Sequence, residues 1–63
     1  MNKQKSISIE VEYEDEEGTN YDRYLKKMTK QQFDDEVKSI KNVHTEIDYS
    51  WEDGYISYFD EEG

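Results

Sequence analysis

Met28-Thr29-Lys30-Gln31-Gln32-Phe33 is the stretch that organises the chain on either side of it. Thr29 is a good N-cap, and Gln32 three residues on completes a capping box: hydroxyl and amide each satisfy a backbone N–H at the helix start. Met28 and Phe33 occupy the two positions of a hydrophobic staple. Phe33, Val37 and Ile40 then recur at i, i+4 and i+7, a narrow apolar stripe. Asp34, Asp35 and Glu36 follow near the positive end of the dipole, and Lys38 and Lys41 lie near the negative end. The pattern predicts a helix over Lys30–Lys41, with Asn42 as a left-handed stop.

Upstream the period changes from helical to two. In Ser6–Tyr13, Ile7, Ile9, Val11 and Tyr13 fall on one face and Ser6, Ser8, Glu10 and Glu12 on the other, the pattern of a half-buried strand. Glu14 to Gly18 is a turn, read as a three-residue loop of Glu16, Glu17 and Gly18 with the glycine at positive φ. That loop sets Tyr13 opposite Tyr21 and Ile9 opposite Leu25, apolar against apolar. Sliding by one would set Ile9 against Lys26 and Tyr13 against Asp22. The second strand is therefore expected over Thr19–Lys26. Downstream, Val43–Trp51 alternates again, and Asp53-Gly54 is a two-residue hairpin signal. It pairs Trp51 with Ile56 and Tyr49 with Tyr58, giving a fourth strand over Tyr55–Asp60. The expected fold is α+β: a small antiparallel sheet with one helix packed on it, in the order β-β-α-β-β. A single domain spans residues 1–63, with Glu61–Gly63 frayed.

Composition narrows the function more than the fold. Of the 63 residues, 17 are Asp or Glu and eight are Lys or Arg, a formal charge of −9. Such a chain repels nucleic acid and anionic membrane and attracts basic surfaces. Hydrophobic residues make up only 32%, but one Trp, six Tyr and two Phe carry large burial payloads. The reading is a folded domain with a thin core, of the kind that a partner subunit often completes. There is no Cys, no apolar run of membrane-spanning length and no signal-peptide core, so the chain reads as soluble and cytoplasmic.

Catalysis fails at the inventory: no thiol, and one histidine, His44, on the polar face of its predicted strand. Calcium fails as well. With Gly18 as the sixth residue of an EF-hand loop, Tyr13 and Tyr24 would be ligands; with Gly54, Tyr49 and Trp51 would be. No cofactor and no metal site is expected. Lys26, Lys27 and Lys30 make a small basic patch, outweighed by the acids around it. What remains is the acid itself. Alternate strand residues stand about 6.6–6.8 Å apart on one face, so Glu10, Glu12 and Glu14 form a regular row. Asp15, Glu16 and Glu17 extend it through the turn, Glu46 and Asp48 repeat the spacing, and Asp34 adds an acid on the helix. A DNA strand also presents a regular row of charge, one per roughly 3.4 Å of axis. The simple alternative is a solvated face that blocks edge aggregation.

From Ile9 to about Ile40 the chain resembles the small phage-encoded inhibitors of uracil-DNA glycosylase, the compact dimeric kind. The resemblance rests on Ile9-Val11-Tyr13, the acidic turn Asp15-Glu16-Glu17-Gly18, Tyr21 with Tyr24, and Met28-Thr29 leading to Phe33. It implies a homodimer that mimics DNA, occupies the enzyme's basic DNA-binding groove and encloses the apolar side chain that the enzyme pushes into DNA. Tyr21 and Tyr24 would match tyrosines of the second strand, and Phe33 the helix aromatic supporting dimer and pocket. Three positions depart from the family: Val37 stands at a second helix aromatic, Arg23 at an acidic position, and the Asp53-Gly54 hairpin is extra. The expected function is an acidic, non-enzymatic inhibitor of a host DNA-acting enzyme, uracil-DNA glycosylase first among targets. The competing expectation is an acidic protein–protein interaction module without DNA mimicry.

Overall fold

A computed structural model describes residues 3–60; the expected fraying of Glu61–Gly63 lies outside them. The elements are β1 (Lys5–Asp15), β2 (Gly18–Met28), α1 (Lys30–Val43), β3 (Ile47–Ser50) and β4 (Tyr55–Asp60). The α+β class and the β-β-α-β-β order stand as read from the sequence. The sheet, however, is mixed. Its order is β2-β1-β4-β3, and the central pair, β1 with β4, is parallel. Each hairpin is antiparallel, but α1 carries the chain from one edge of the sheet to the other. β4 must then turn back inward beside β1, running in the same direction.

The helix start is as its sequence dictates. The Gln32 N–H donates to Thr29 Oγ1 at 3.2 Å, and the Thr29 N–H donates to Gln32 Oε1 at 2.8 Å. Met28 and Phe33 are both buried, as a staple requires. No acidic residue lies in the first turn; Asp34 follows and accepts an ion pair from Lys30 at 2.6 Å. The helix end differs from expectation. Asn42 is helical, the helix runs to Val43, and extended His44 caps it by donating its N–H to Ile40 O at 2.7 Å. With an extended cap available, no left-handed residue is needed. The third strand accordingly shrinks from Val43–Trp51 to Ile47–Ser50.

Both hairpin registers also shift. Glu16 and Glu17 alone form the first loop, with Asp15 opposite Gly18, so Ile9 faces Tyr24 and Tyr13 faces Asn20. The Asp15 carboxylate accepts from the Glu17 N–H at 2.8 Å and from Asn20 Nδ2 at 2.6 Å, which tightens the turn by one residue. At the far end the staple demands that Met28 point into the core, and one residue of slip exchanges the two faces of a strand. Tyr21 and Leu25 thus leave the apolar face expected for them. The second hairpin closes with a four-residue loop, Trp51–Gly54, pairing Tyr49 with Ile56 and Ile47 with Tyr58.

The core is one layer of contact between α1 and the sheet: Ile7, Ile9, Met28, Phe33, Val37, Ile40 and Ile56. Phe33 meets Trp51 edge-on at 5.4 Å between ring centroids, and Tyr49 at 6.1 Å. Lys5 clamps the second loop by donating from Nζ to Trp51 O at 2.6 Å and Glu52 O at 2.8 Å. Among the described residues no second layer covers the opposite face of the sheet, and that face holds Glu10, Glu12, Glu14, Tyr21 and Asp48 of the candidate residues.

Candidate interaction face

Directly paired strand residues share a face, so the registers place the open face row by row. Leu25, Ser8, Tyr55 and Ser50 form the first row; Arg23, Glu10, Ser57 and Asp48 the second; Tyr21, Glu12 and Phe59 the third; Thr19 and Glu14 the last. Glu10, Glu12 and Glu14 do run down β1 on this face, as the alternation predicted, and Asp48 lies two strands away. Glu46 precedes β3, where its carbonyl accepts from the Phe59 N–H at 3.1 Å. Glu12, Glu46 and Asp48, with Ser57 and Phe59, line a shallow recess of about 370 Å³. Asp15, Glu16 and Glu17 form the exposed tip of the first hairpin.

The acids are not equivalent. Arg23 Nε lies 3.7 Å from Glu10 Oε1 and also donates to Ser8 Oγ at 3.1 Å, so Glu10 is partly neutralised. The Tyr21 hydroxyl hydrogen-bonds to the Glu12 carboxylate, and that bond, with the nearby charge, raises the Tyr21 pKa above 10.0. The Tyr55 hydroxyl donates to Asp48 Oδ2 at 3.1 Å, which likewise raises the Tyr55 pKa. Each of these two carboxylates therefore has a phenol beside it. Glu14, at the end of the row, is exposed.

Three predicted residues lie elsewhere. Phe33 is buried by the chain's own sheet, so it belongs to the core. Asp34 is on the helix, with Lys30 as its partner. Tyr24 is half-exposed at the sheet edge on the helix side, near Tyr58, whose pKa is raised mainly by burial. Conversely, Tyr55, Ser57, Phe59, Arg23 and Leu25 join the face without having been singled out. The first three were legible: once Ile56 and Tyr58 are assigned inward, their neighbours must point outward. Arg23 and Leu25 depended on the register. His44, expected on a polar strand face, is half-buried with its ring 4.9 Å from that of Tyr58 and its Nδ1 without a hydrogen-bond partner.

Among the described residues, no group of three or more His, Cys, Asp or Glu converges as a metal site, and no helix is long and apolar enough to cross a membrane. No protein-family model, curated protein or solved structure matches the chain. The reading of function therefore rests on the face itself.

Proposed function

We propose that this protein is an acidic inhibitor of a DNA-acting enzyme, occupying the enzyme's DNA-binding groove in place of DNA, with uracil-DNA glycosylase the first target to test. The observation that carries the proposal is the open face: a β1 row of Glu10, Glu12 and Glu14 continuing into the acidic tip, flanked by Asp48 and Glu46. Carboxylates held at strand spacing on a rigid sheet offer a groove lined with Lys and Arg fixed charges in place of phosphates. The Tyr55 hydroxyl donates to Asp48, and the Tyr21 phenol stands beside Glu12. An inhibitor of this kind needs no catalytic group of its own.

The test is uracil excision from DNA by a bacterial glycosylase, with wild type or the Glu10→Gln/Glu12→Gln/Glu14→Gln variant added. Wild type inhibits, and the variant stays folded but loses on the order of tenfold in association rate, because steering scales with charge. Glu10→Gln alone has the smallest effect of the three, since Arg23 already offsets that charge. An enzyme indifferent to wild type overturns the glycosylase target; equal inhibition by wild type and triple variant overturns the row as phosphate mimic.

One observation favours a second reading, a protein-interaction module without mimicry. Tyr21, Leu25 and Phe59 share the acidic face, and Leu25 is 71% exposed. Salt separates the two. Binding through phosphate mimicry weakens steeply as ionic strength rises, whereas binding through Leu25 and its neighbours changes little.

A further inference from the structure

The shallow recess on the open face has its origin in the strand pattern. Ile47 pairs with Tyr58 and packs against the core, so the next position brings Glu46 beside Phe59, and the Glu46 carbonyl accepts the Phe59 N–H at 3.1 Å. On its other side Phe59 pairs with Glu12 of β1. An aromatic residue of the open face thus has a glutamate on each flank, one strand spacing of about 4.8 Å away in either direction. Asp48, two residues along from Glu46, also lines the recess. Eight residues line it in all, and none is basic.

Taking the open face as the surface that meets a basic groove, on which this step rests, we propose that the recess receives one arginine side chain of the partner protein. Its guanidinium stacks on the Phe59 ring and donates to the flanking Glu12 and Glu46 carboxylates, with Asp48 adding charge beside them. Size, spacing and shape select arginine. The volume, about 370 Å³, is near the lower end for ligand pockets, so it admits a side chain and not a helix. Among the described residues no three acids converge as a metal site. A guanidinium needs no such convergence, because its five N–H donors spread around a plane and serve carboxylates that stand apart. That plane also matches an aromatic ring with acids at its rim, stacking on one and reaching the others. A lysine ammonium, compact and strongly hydrated, has no plane to stack.

The neighbouring row shows the same pairing supplied from within. There Arg23 of β2 lies 3.7 Å from Glu10 and donates to Ser8, so the acid of that row already has a guanidinium. In the row of Phe59 the β2 residue is Tyr21, a phenol whose pKa is raised by the Glu12 carboxylate it bonds, and no basic residue belongs to the row. Its negative charge is left for a cation from outside. A single arginine seated in a small pocket is a common anchor of protein interfaces.

The test contains no target enzyme. The capped tripeptides Gly-Arg-Gly and Gly-Lys-Gly, equal in charge and so equally drawn to a chain of −9, are titrated into isotope-labelled protein at low ionic strength and followed by NMR. The arginine peptide shifts the amide signals of Glu12, Glu46, Ser57 and Phe59. It binds about two- to fivefold tighter than the lysine peptide, the range that a cation on an exposed ring supplies. Phe59→Leu keeps the acids and abolishes that preference. Glu46→Gln keeps the ring and weakens the arginine peptide about twofold or more, which reads the recess even where Phe59→Leu fails to fold. Equal binding of the two peptides to wild type overturns the inference, as do shifts spread evenly along the β1 row or an arginine affinity that Glu46→Gln leaves unchanged. Magnesium chloride that displaces the peptide while shifting the same amides marks a metal site and overturns it too. Glycosylase inhibition by a wild type without arginine preference leaves the inhibitor reading standing and strikes the recess; arginine preference without inhibition does the reverse.

Discussion

Thr29 and Phe33 lie four residues apart and hold the helix by different physics, which makes them separable. The Thr29 hydroxyl satisfies one otherwise unpaired N–H, so Thr29→Ala should cost about 1 kcal/mol. Phe33 is 2% exposed and touches two further aromatic rings, so Phe33→Ala should cost about 3–5 kcal/mol through the cavity it leaves. Chemical denaturation of both variants checks the ratio; equal effects would mean that the ring is not packed as described. These two residues were legible in the sequence because cap and staple are encoded within six positions. Asn42 and His44 were not. Asn42 is compatible with a left-handed stop, but the cap that forms uses the backbone N–H of His44, which carries no side-chain signature. The same locality explains the acidic row: alternation alone puts Glu10, Glu12 and Glu14 on one face, whatever the strand pairs with.

Among the elements, β2 is where sequence reading was least secure, for a definable reason. Its residues alternate weakly, with Tyr21, Tyr24 and Leu25 offering apolar groups to both faces. Apolar matching to β1 favoured Leu25 inward. The turn and the staple decide otherwise, through hydrogen bonds from Asp15 and burial of Met28, neither visible in a pairwise match along the strands. The parallel β1–β4 pair was hidden for a related reason, since neither local pattern nor turn chemistry states which strand a returning chain will join. Gly18, by contrast, was read correctly as a residue of positive φ, and with Gly54 it gives a graded prediction. Gly54 lies at φ +75°, and a Cβ there would stand 3.3 Å from Ser6 O; Gly18 lies at φ +121° with open space around it. Gly54→Ala combines the left-handed cost, about 1–2 kcal/mol, with displacement of the β1 backbone. It should lower the thermal midpoint more than Gly18→Ala, which has only the conformational strain. The reverse order would show that the second loop is not seated against β1.

For the whole molecule the dominant fact is a charge of −9 on a body 46 Å long and 14 Å thick. Seventeen acids against eight bases leave the folded state with considerable self-repulsion. Sodium chloride raised from about 10 mM to 1 M shrinks the screening length from about 30 to about 3 Å, and the thermal midpoint should rise with it. A falling midpoint would mean that exposed pairs such as Arg23–Glu10 matter more than the net charge. The central parallel pair has a consequence of another kind, in biosynthesis. Ile56, fully buried, sits beside Ile9 in the middle of the sheet, so the core lacks its centre until β4 has been made. A ribosome delivers β1, β2 and α1 first, and meanwhile the inner edge of β1 has nothing to pair with. Folding therefore awaits contacts between distant parts of the chain, which is slow by comparison with local pairing. A polypeptide halted before Tyr55 would expose Ile7 and Ile9 along an open strand edge, and a cell's proteases would meet it as an unfolded chain.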